Sequence, residues 1–171
     1  MAVALTFCRC RIFRVKLLRF YFREKMEGTV QRAGERFDRP FRFEFDVHAP
    51  SVLGFATTAV GACTGTVRID GLAKDVPASG RLELSPVAKK TIRYVFDFTG
   101  DDGKKYRFDG QKKTTLRRHL VGWTTLPGKV YDAEGAVWGD ALLRFSLARD
   151  LRKLLRSFKV GPRAAVAGAH P

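Results

Sequence analysis

The chain has little of what most catalytic and metal sites are built from. Its 171 residues include only three His and three Cys, namely His48, His119, His170, Cys8, Cys10 and Cys63. Their spacing matches no zinc site, and an odd number of Cys does not make a disulfide framework. No nucleophile-elbow, dinucleotide or phosphate-loop pattern occurs either. The sequence therefore predicts no metal, no cofactor and no catalytic residue, and its Cys usage favours the cytoplasm.

Long apolar runs are also missing. No run reaches the roughly 18–20 residues that a membrane-spanning helix needs. In residues 1–25 the apolar stretch is interrupted by basic residues, which argues against a secretory signal: Arg9, Arg11, Arg14, Lys16 and Arg19. We interpret residues 1–25 as a basic N-terminal extension, either disordered or upstream of a start at Met26, with a membrane-surface or partner-binding arm as the alternative. A single domain over residues 26–160 and a disordered Gly, Ala and Pro-rich tail over 161–171 are predicted.

Acidic residues are scarce relative to basic ones. The chain holds 32 Lys and Arg against 17 Asp and Glu, a formal net charge of +15. This excess indicates an anionic partner such as nucleic acid, an anionic membrane surface or an acidic protein, and a merely solvated basic surface is the alternative. Basic pairs such as Lys89-Lys90 and Arg117-Arg118 fit phosphate contacts. The aromatic residues, however, lie on the predicted core side of their strands and offer no stacking platform.

What the chain does have is alternation. Large apolar side chains recur at every second position, as in strands with one buried face: Phe41, Phe43, Phe45 and Val47, then Ile92, Tyr94, Phe96 and Phe98, then Tyr106 and Phe108. Turn signals stand at Asp70-Gly71, at 99–103 and at 132–135. Because antiparallel sheets avoid open edges by closing, we predict an all-β up-and-down meander of about seven to nine strands in a lipocalin-like (calycin-like) barrel. Leu and Phe at helical spacing predict a short amphipathic C-terminal helix over 148–158.

Small residues on the inward phase raise the question of a cavity. Gly110 follows Tyr106 and Phe108, and Gly139 and Ala141 follow Val137 on their strand. They either hollow the barrel for one apolar ligand or relieve its taper. The predicted ligand-binding residues are Tyr94, Phe96, Tyr106, Phe108, Gly110, Trp123, Gly139 and Ala141. Trp123 and Trp138 either line an entrance or cap the core. An enzyme with an interior site at His119, Tyr94 or Tyr106 is a further alternative.

Four segments carry a resemblance to a known domain. These are FDFTGDDGKKYRFDGQK at 96–112, WTTL at 123–126, GDALLRF at 139–145 and the stretch 150–158. Together they resemble an accessory β domain that accompanies bacterial oxidoreductases of the glucose-methanol-choline (GMC), cholesterol-oxidase-like type. The resemblance covers residues 27–160 and excludes the flavin-binding portion, so it transfers no catalytic residue.

The resemblance implies a stand-alone, non-catalytic barrel module. Such a module would bind a hydrophobic, lipid-like or sterol-like molecule or dock onto a lipid-modifying oxidoreductase. The alternative expectation is a basic module that binds nucleic acid or an anionic membrane surface.

Overall fold

The protein is a closed antiparallel barrel. The computed structural model describes residues 19–49, 59–85, 91–113, 124–145 and 159–161. Each of the first seven strands pairs with the next, and β8 pairs with β1, which closes the wall. A short ninth strand adds to β1. The strands are β1 Arg19–Arg32, β2 Asp38–Ala49, β3 Ala59–Ile69, β4 Ala73–Ser85, β5 Thr91–Thr99, β6 Lys105–Lys113, β7 Thr125–Tyr131, β8 Val137–Arg144 and β9 Lys159–Gly161.

The predicted all-β meander and its closure into a barrel are thus confirmed. The predicted helix over 148–158 lies outside the described residues, as do residues 1–18 and 162–171 of the predicted terminal segments. β1 begins at Arg19, inside the segment 1–25 that was interpreted as an extension, and it places Phe22 and Glu24 in the barrel interior. Among the residues that the structure describes, no helix has the length and apolar character needed to cross a membrane.

One end of the barrel is made of tight hairpin turns, and we call it the turn end. Its four turns join β1 to β2, β3 to β4, β5 to β6 and β7 to β8, and each contains a glycine with positive φ: Gly34, Gly71, Gly103 and Gly135. Glycine is favoured there because it has no Cβ to clash in the left-handed region. The predicted turns at 70–71, 99–103 and 132–135 are therefore confirmed, and the turn at Gly34 adds a fourth.

The opposite end is where the chain leaves the strands for residues 50–58, 86–90, 114–123 and 146–158, and we call it the connection end. β1 also starts at this end, and β9 pairs there with Arg19–Tyr21. The up-and-down order makes this division inevitable, because every odd-numbered strand from β1 to β7 runs toward the turn end and every even-numbered one runs back.

The interior is filled by the side chains that alternate inward. Five rings occupy its middle and form what we call the aromatic core: Phe41, Phe43, Phe45, Phe96 and Phe108, all at most 1% exposed. Ring centroids of Phe96 lie 4.7 Å from Phe45 and 4.9 Å from Phe108. Aromatic pairs at such distances add to the stabilisation from buried area. The core of the barrel is therefore a packed aromatic column over this length.

A register shift on β8 changes which residues face inward near the turn end. Gly139 pairs with Val130, but the next pair joins Val137 to Tyr131, so Trp138 is the extra residue of a bulge. Val137, predicted on the inward phase, is 39% exposed as a result. The Trp138 ring instead lies 6.2 Å from that of Tyr106 and beneath Arg32. Trp138 therefore caps the core at the turn end.

Candidate functional site

The predicted ligand-binding residues fall mostly in the packed part of the barrel. Phe96 and Phe108 belong to the aromatic core, and Tyr106 stacks on Phe98 near the turn end at 5.7 Å. Ala141 is buried on β8. Trp123 lies outside the described residues. Tyr94 stands apart from the other predicted residues, because its buried hydroxyl contacts other ionisable groups.

The two predicted glycines have packing roles. A Cβ at Gly110 would stand 2.5 Å from the ring of Phe108, and one at Gly128 would stand 2.6 Å from the same ring. Gly110 and Gly128 thus make room for the ring of Phe108. A Cβ at Gly139 would meet the backbone oxygen of Gln31 at 2.7 Å, so this glycine permits β8 to approach β1. The space at these positions is occupied by protein, as expected for residues that relieve crowding in a small barrel.

Three ionisable side chains meet inside the barrel, directly against the aromatic core. The hydroxyl of Tyr94 donates to Oε2 of Glu24 at 2.5 Å, and Nζ of Lys112 lies 3.3 Å from Oε1 of the same carboxylate. The ammonium also lies 5.2 Å from the centre of the Tyr94 ring. All three residues are at most 6% exposed. We call Glu24, Tyr94 and Lys112 the polar layer.

The polar layer holds its charges at a cost. Removing an ion pair from water costs several kcal/mol per ion, and a buried pair is often no more stabilising than apolar residues of the same volume. Buried ionisable groups with shifted pKa values cluster at functional sites, so the polar layer is a candidate site. Burial, together with the charge of Glu24, raises the pKa of Tyr94 well above its usual value, so its hydroxyl keeps the proton that it donates.

The polar layer has hydrogen-bonding capacity beyond its internal contacts. An ammonium has three N–H donors, and a carboxylate can accept about four hydrogen bonds. The described contacts of Lys112 use one donor, and each oxygen of Glu24 has one described partner. A hydroxyl or carbonyl group placed beside the layer would find donors and acceptors already turned toward the interior.

Apolar side chains surround the interior on the connection-end side of the polar layer. Phe22 precedes Glu24 on β1 and Ile92 precedes Tyr94 on β5, each one inward position closer to that end. We call the buried apolar residues near this end the apolar collar: Phe22, Val47, Leu84, Ile92 and Phe145. The polar layer therefore has aromatic rings on one side and aliphatic and aromatic groups on the other.

The described wall has no β6–β7 pairing beside Lys112. Within the described residues, the β6–β7 ladder pairs Arg107–Gly110 with Gly128–Tyr131 and ends there. β6 nevertheless continues to Lys113 along β5, and β7 begins at Thr125 along β8. Pro127, the residue just before Gly128 on β7, would continue this ladder but has no N–H to donate. We call the unpaired stretch, Gln111–Lys113 facing Thr125–Pro127, the seam.

On the outer face of the wall, cross-strand ion pairs compensate the charges of several arginines. Arg23 meets Asp46 at 2.7 Å and Arg107 meets Asp97 at 2.7 Å, each pair directly opposite in register. Asp75 bridges two arginines, Arg42 and Arg68, at 2.9 Å each. Such exposed pairs contribute little stability individually. Their consequence is that, among the residues with described side chains, the wall offers an anion few uncompensated cations.

Other sites are not supported by the described residues. No group of three or more His, Cys, Asp or Glu side chains among them could hold a metal ion. A concavity of about 990 Å³ lies on the outer face of β3 to β7, lined by polar residues such as Thr64, Ser79 and Tyr131. It is open to solvent and gathers no cluster of buried functional groups. His119, the predicted interior histidine, lies outside the described residues.

Sequence reasoning missed two of the three residues of the polar layer, Glu24 and Lys112. The signal for Lys112 was present, because positions 106, 108, 110 and 112 share one strand phase. Glu24 shares its phase with Phe22, Met26 and Val30.

The fold class is an eight-stranded antiparallel barrel with a short ninth strand. Comparison of the chain with protein-family models, curated proteins and solved structures gives no significant match.

Proposed function

We propose that the protein is a non-catalytic, lipocalin-like barrel module that binds an apolar, lipid-like or sterol-like molecule. The polar layer is the observation that carries this proposal. A barrel that needed only a core would be filled by apolar side chains at this level, whereas this one places an ion pair and a phenol there. Ligand sites in proteins combine mostly apolar linings with a few converging polar groups, and the apolar collar and the polar layer match that description.

The bound molecule would lie between the polar layer and the connection end. The aromatic core closes the other direction, since the ring of Phe43 lies 5.8 Å from that of Tyr94. At the seam beside Lys112, the described residues of β6 and β7 form no ladder that a ligand would have to open. The proposed context remains that of a stand-alone cytoplasmic relative of the GMC-associated domain, with a lipid-modifying oxidoreductase as its docking partner and a C-terminal amphipathic helix over 148–158.

The test is direct detection of a ligand. Native mass spectrometry of freshly purified protein is expected to show an apolar adduct that solvent extraction removes. The extracted protein is then expected to bind the neutral dye Nile red saturably at one site. Leu84→Trp, which fills the collar, should abolish dye binding, and Leu142→Trp, the same change at an outer-face residue 43% exposed, should leave it intact. Absence of both adduct and saturable dye binding in the wild-type protein contradicts the proposal.

A second candidate function, binding to an anionic membrane surface, rests on where the charge lies in the chain. The part with described side chains holds 17 of the 32 Lys and Arg and 16 of the 17 acids, a net charge of +1. The other +14 belongs to the terminal segments, to the connections that leave the strands at the connection end, and to Arg19 and Lys159, which begin β1 and β9. Interleaved basic and large apolar residues in sequences such as FRVKLLRF at 13–20 favour a membrane over nucleic acid.

This second function is tested by co-sedimentation with vesicles. Binding to vesicles that contain phosphatidylserine, none to pure phosphatidylcholine, and loss of binding in high salt are expected, because each basic residue near an anionic surface contributes about 1 kcal/mol. Exchange of Arg117 and Arg118 for Gln should weaken binding, and exchange of Lys104 and Lys105, at the turn end, should not. If the protein binds RNA as tightly as it was expected to bind phosphatidylserine vesicles, and does not bind the vesicles, the result instead favours the nucleic-acid alternative.

A further inference from the structure

We infer that the polar layer selects an uncharged oxygen, a hydroxyl or a ketone, at the end of the apolar ligand and excludes a carboxylate. This inference rests on the proposed ligand binding and adds the chemical class of the ligand. It is carried by the charges and contacts of Glu24, Tyr94 and Lys112, by their burial, and by their position between the aromatic core and the apolar collar.

Charge balance in the polar layer decides the selectivity. Glu24 and Lys112 compensate one another at 3.3 Å, and the Tyr94 hydroxyl is neutral and already donates to Glu24. An entering carboxylate would place a second negative charge beside Glu24 in surroundings of low polarity, which is strongly unfavourable. An uncharged hydroxyl adds no net charge, so it can be accommodated without that penalty.

Hydrogen-bond direction separates the two uncharged groups. A hydroxyl can accept from Lys112 and can donate to Glu24, whereas a ketone oxygen can only accept. Lys112 is the sole donor of the layer with spare N–H groups, since Tyr94 donates its one proton to Glu24. Within the polar layer, a ketone therefore depends on Lys112, whereas an alcohol can also donate to Glu24.

The seam lies beside Lys112 and gives the ligand a route to its ammonium. Lys112 lies on the stretch of β6 that continues past the last β6–β7 pair, with its side chain inward. The neighbouring Gln111 and Lys113 are exposed. A polar group that enters between β6 and β7 beyond Gly110 meets the ammonium of Lys112 before it reaches the aromatic core.

The experiment compares three probes with the same number of carbons, dodecanol, 2-dodecanone and dodecanoate, by displacement of Nile red from the delipidated full-length protein at neutral pH. Wild-type protein is expected to bind the alcohol and the ketone at least about tenfold more tightly than dodecanoate. Glu24→Gln removes the negative charge and leaves the ammonium uncompensated, so dodecanoate should become the tightest of the three. Lys112→Met should abolish ketone binding and retain alcohol binding.

Matched controls use the same chemical changes on the outer face. Glu44→Gln and Lys129→Met alter exposed residues, 48% exposed in each case, and should leave all three affinities unchanged. Circular dichroism establishes whether each variant is folded. If Lys112→Met is not folded, the near-isosteric Glu24→Gln alone tests the inference. Equal binding of dodecanoate and dodecanol by the wild-type protein, or an unchanged order in Glu24→Gln, overturns the inference while ligand binding stands. If the wild-type protein binds neither dye nor probe, both the inference and the proposed function are overturned.

Discussion

The buried ion pair of the polar layer makes a large and specific prediction about stability. Lys112→Met leaves the carboxylate of Glu24 buried with Tyr94 as its remaining described partner. Loss of one partner of a buried pair costs about 3–5 kcal/mol of the free energy of unfolding. Glu24→Leu strands the ammonium of Lys112 at a similar cost and also leaves the Tyr94 hydroxyl without its acceptor, which adds about 1–3 kcal/mol.

The double variant should behave differently from the sum of the two single variants. Replacement of both charges by apolar groups of similar volume is often neutral or stabilising by about 1–4 kcal/mol, which offsets the unpaired hydroxyl of Tyr94. We therefore expect the Glu24→Leu, Lys112→Met double variant to unfold within about 2 kcal/mol of the wild-type protein. The coupling energy between the two sites is then about 5 kcal/mol or more, above the roughly 0.5–3 kcal/mol that is usual for interacting residues.

Urea denaturation followed by circular dichroism and Trp fluorescence measures these free energies by linear extrapolation. The outer-face pair Asp97–Arg107 is the control, since its side chains are 59% and 60% exposed. Its cycle, with Asp97→Leu and Arg107→Met, should give a coupling of only about 0.2–1 kcal/mol. A coupling between Glu24 and Lys112 as small as that of the control would show that the polar layer is not a desolvated ion pair, and the reasoning would fail.

Three further predictions follow from single sites. Gly80→Ala should cost about 3 kcal/mol, because its Cβ would overlap the backbone oxygen of Val95, and thermal unfolding measures the loss. Burial raises the pKa of the Cys63 thiol to about 11, so peptide mapping should find Cys63 unlabelled by iodoacetamide in folded protein and labelled in urea. The raised pKa of Tyr94 stabilises the fold below pH 10 and this contribution is lost as pH rises further. Tyr94→Phe should therefore flatten the fall of the urea midpoint above pH 10, and an unchanged slope would contradict the burial of this phenol.

The strands were predictable because alternation of large apolar residues is a local signal. Phe41 to Val47 and Ile92 to Phe98 bury one face each, and the turn residues at 70–71, 99–103 and 132–135 stand where the chain reverses. The role of Gly110 was less accessible, since a glycine on the inward phase is compatible with an empty space or with a neighbour's ring. The structure places the ring of Phe108 there, a choice made by side-chain packing across two strands.

The polar layer depended on contacts far apart in sequence. Glu24 is 70 residues from Tyr94 and 88 residues from Lys112, and the three residues lie on β1, β5 and β6. The basic residues in 1–25 interrupt its apolar pattern, so the alternation of Phe22, Glu24 and Met26 that buries one face of β1 was not predicted. The bulge that turns Trp138 toward Tyr106 and exposes Val137 was likewise a product of register between β7 and β8.

By itself, the sequence determined that this chain makes paired antiparallel strands with a one-sided aromatic face, because the two-residue period and the turn residues act within a few positions of each other. Only the tertiary structure decided which inward side chains fill the barrel and which charges meet within it. Closure of β8 onto β1 sets the distances between strands remote in sequence, and the burial and pairing of Glu24 and Lys112 depend on those distances.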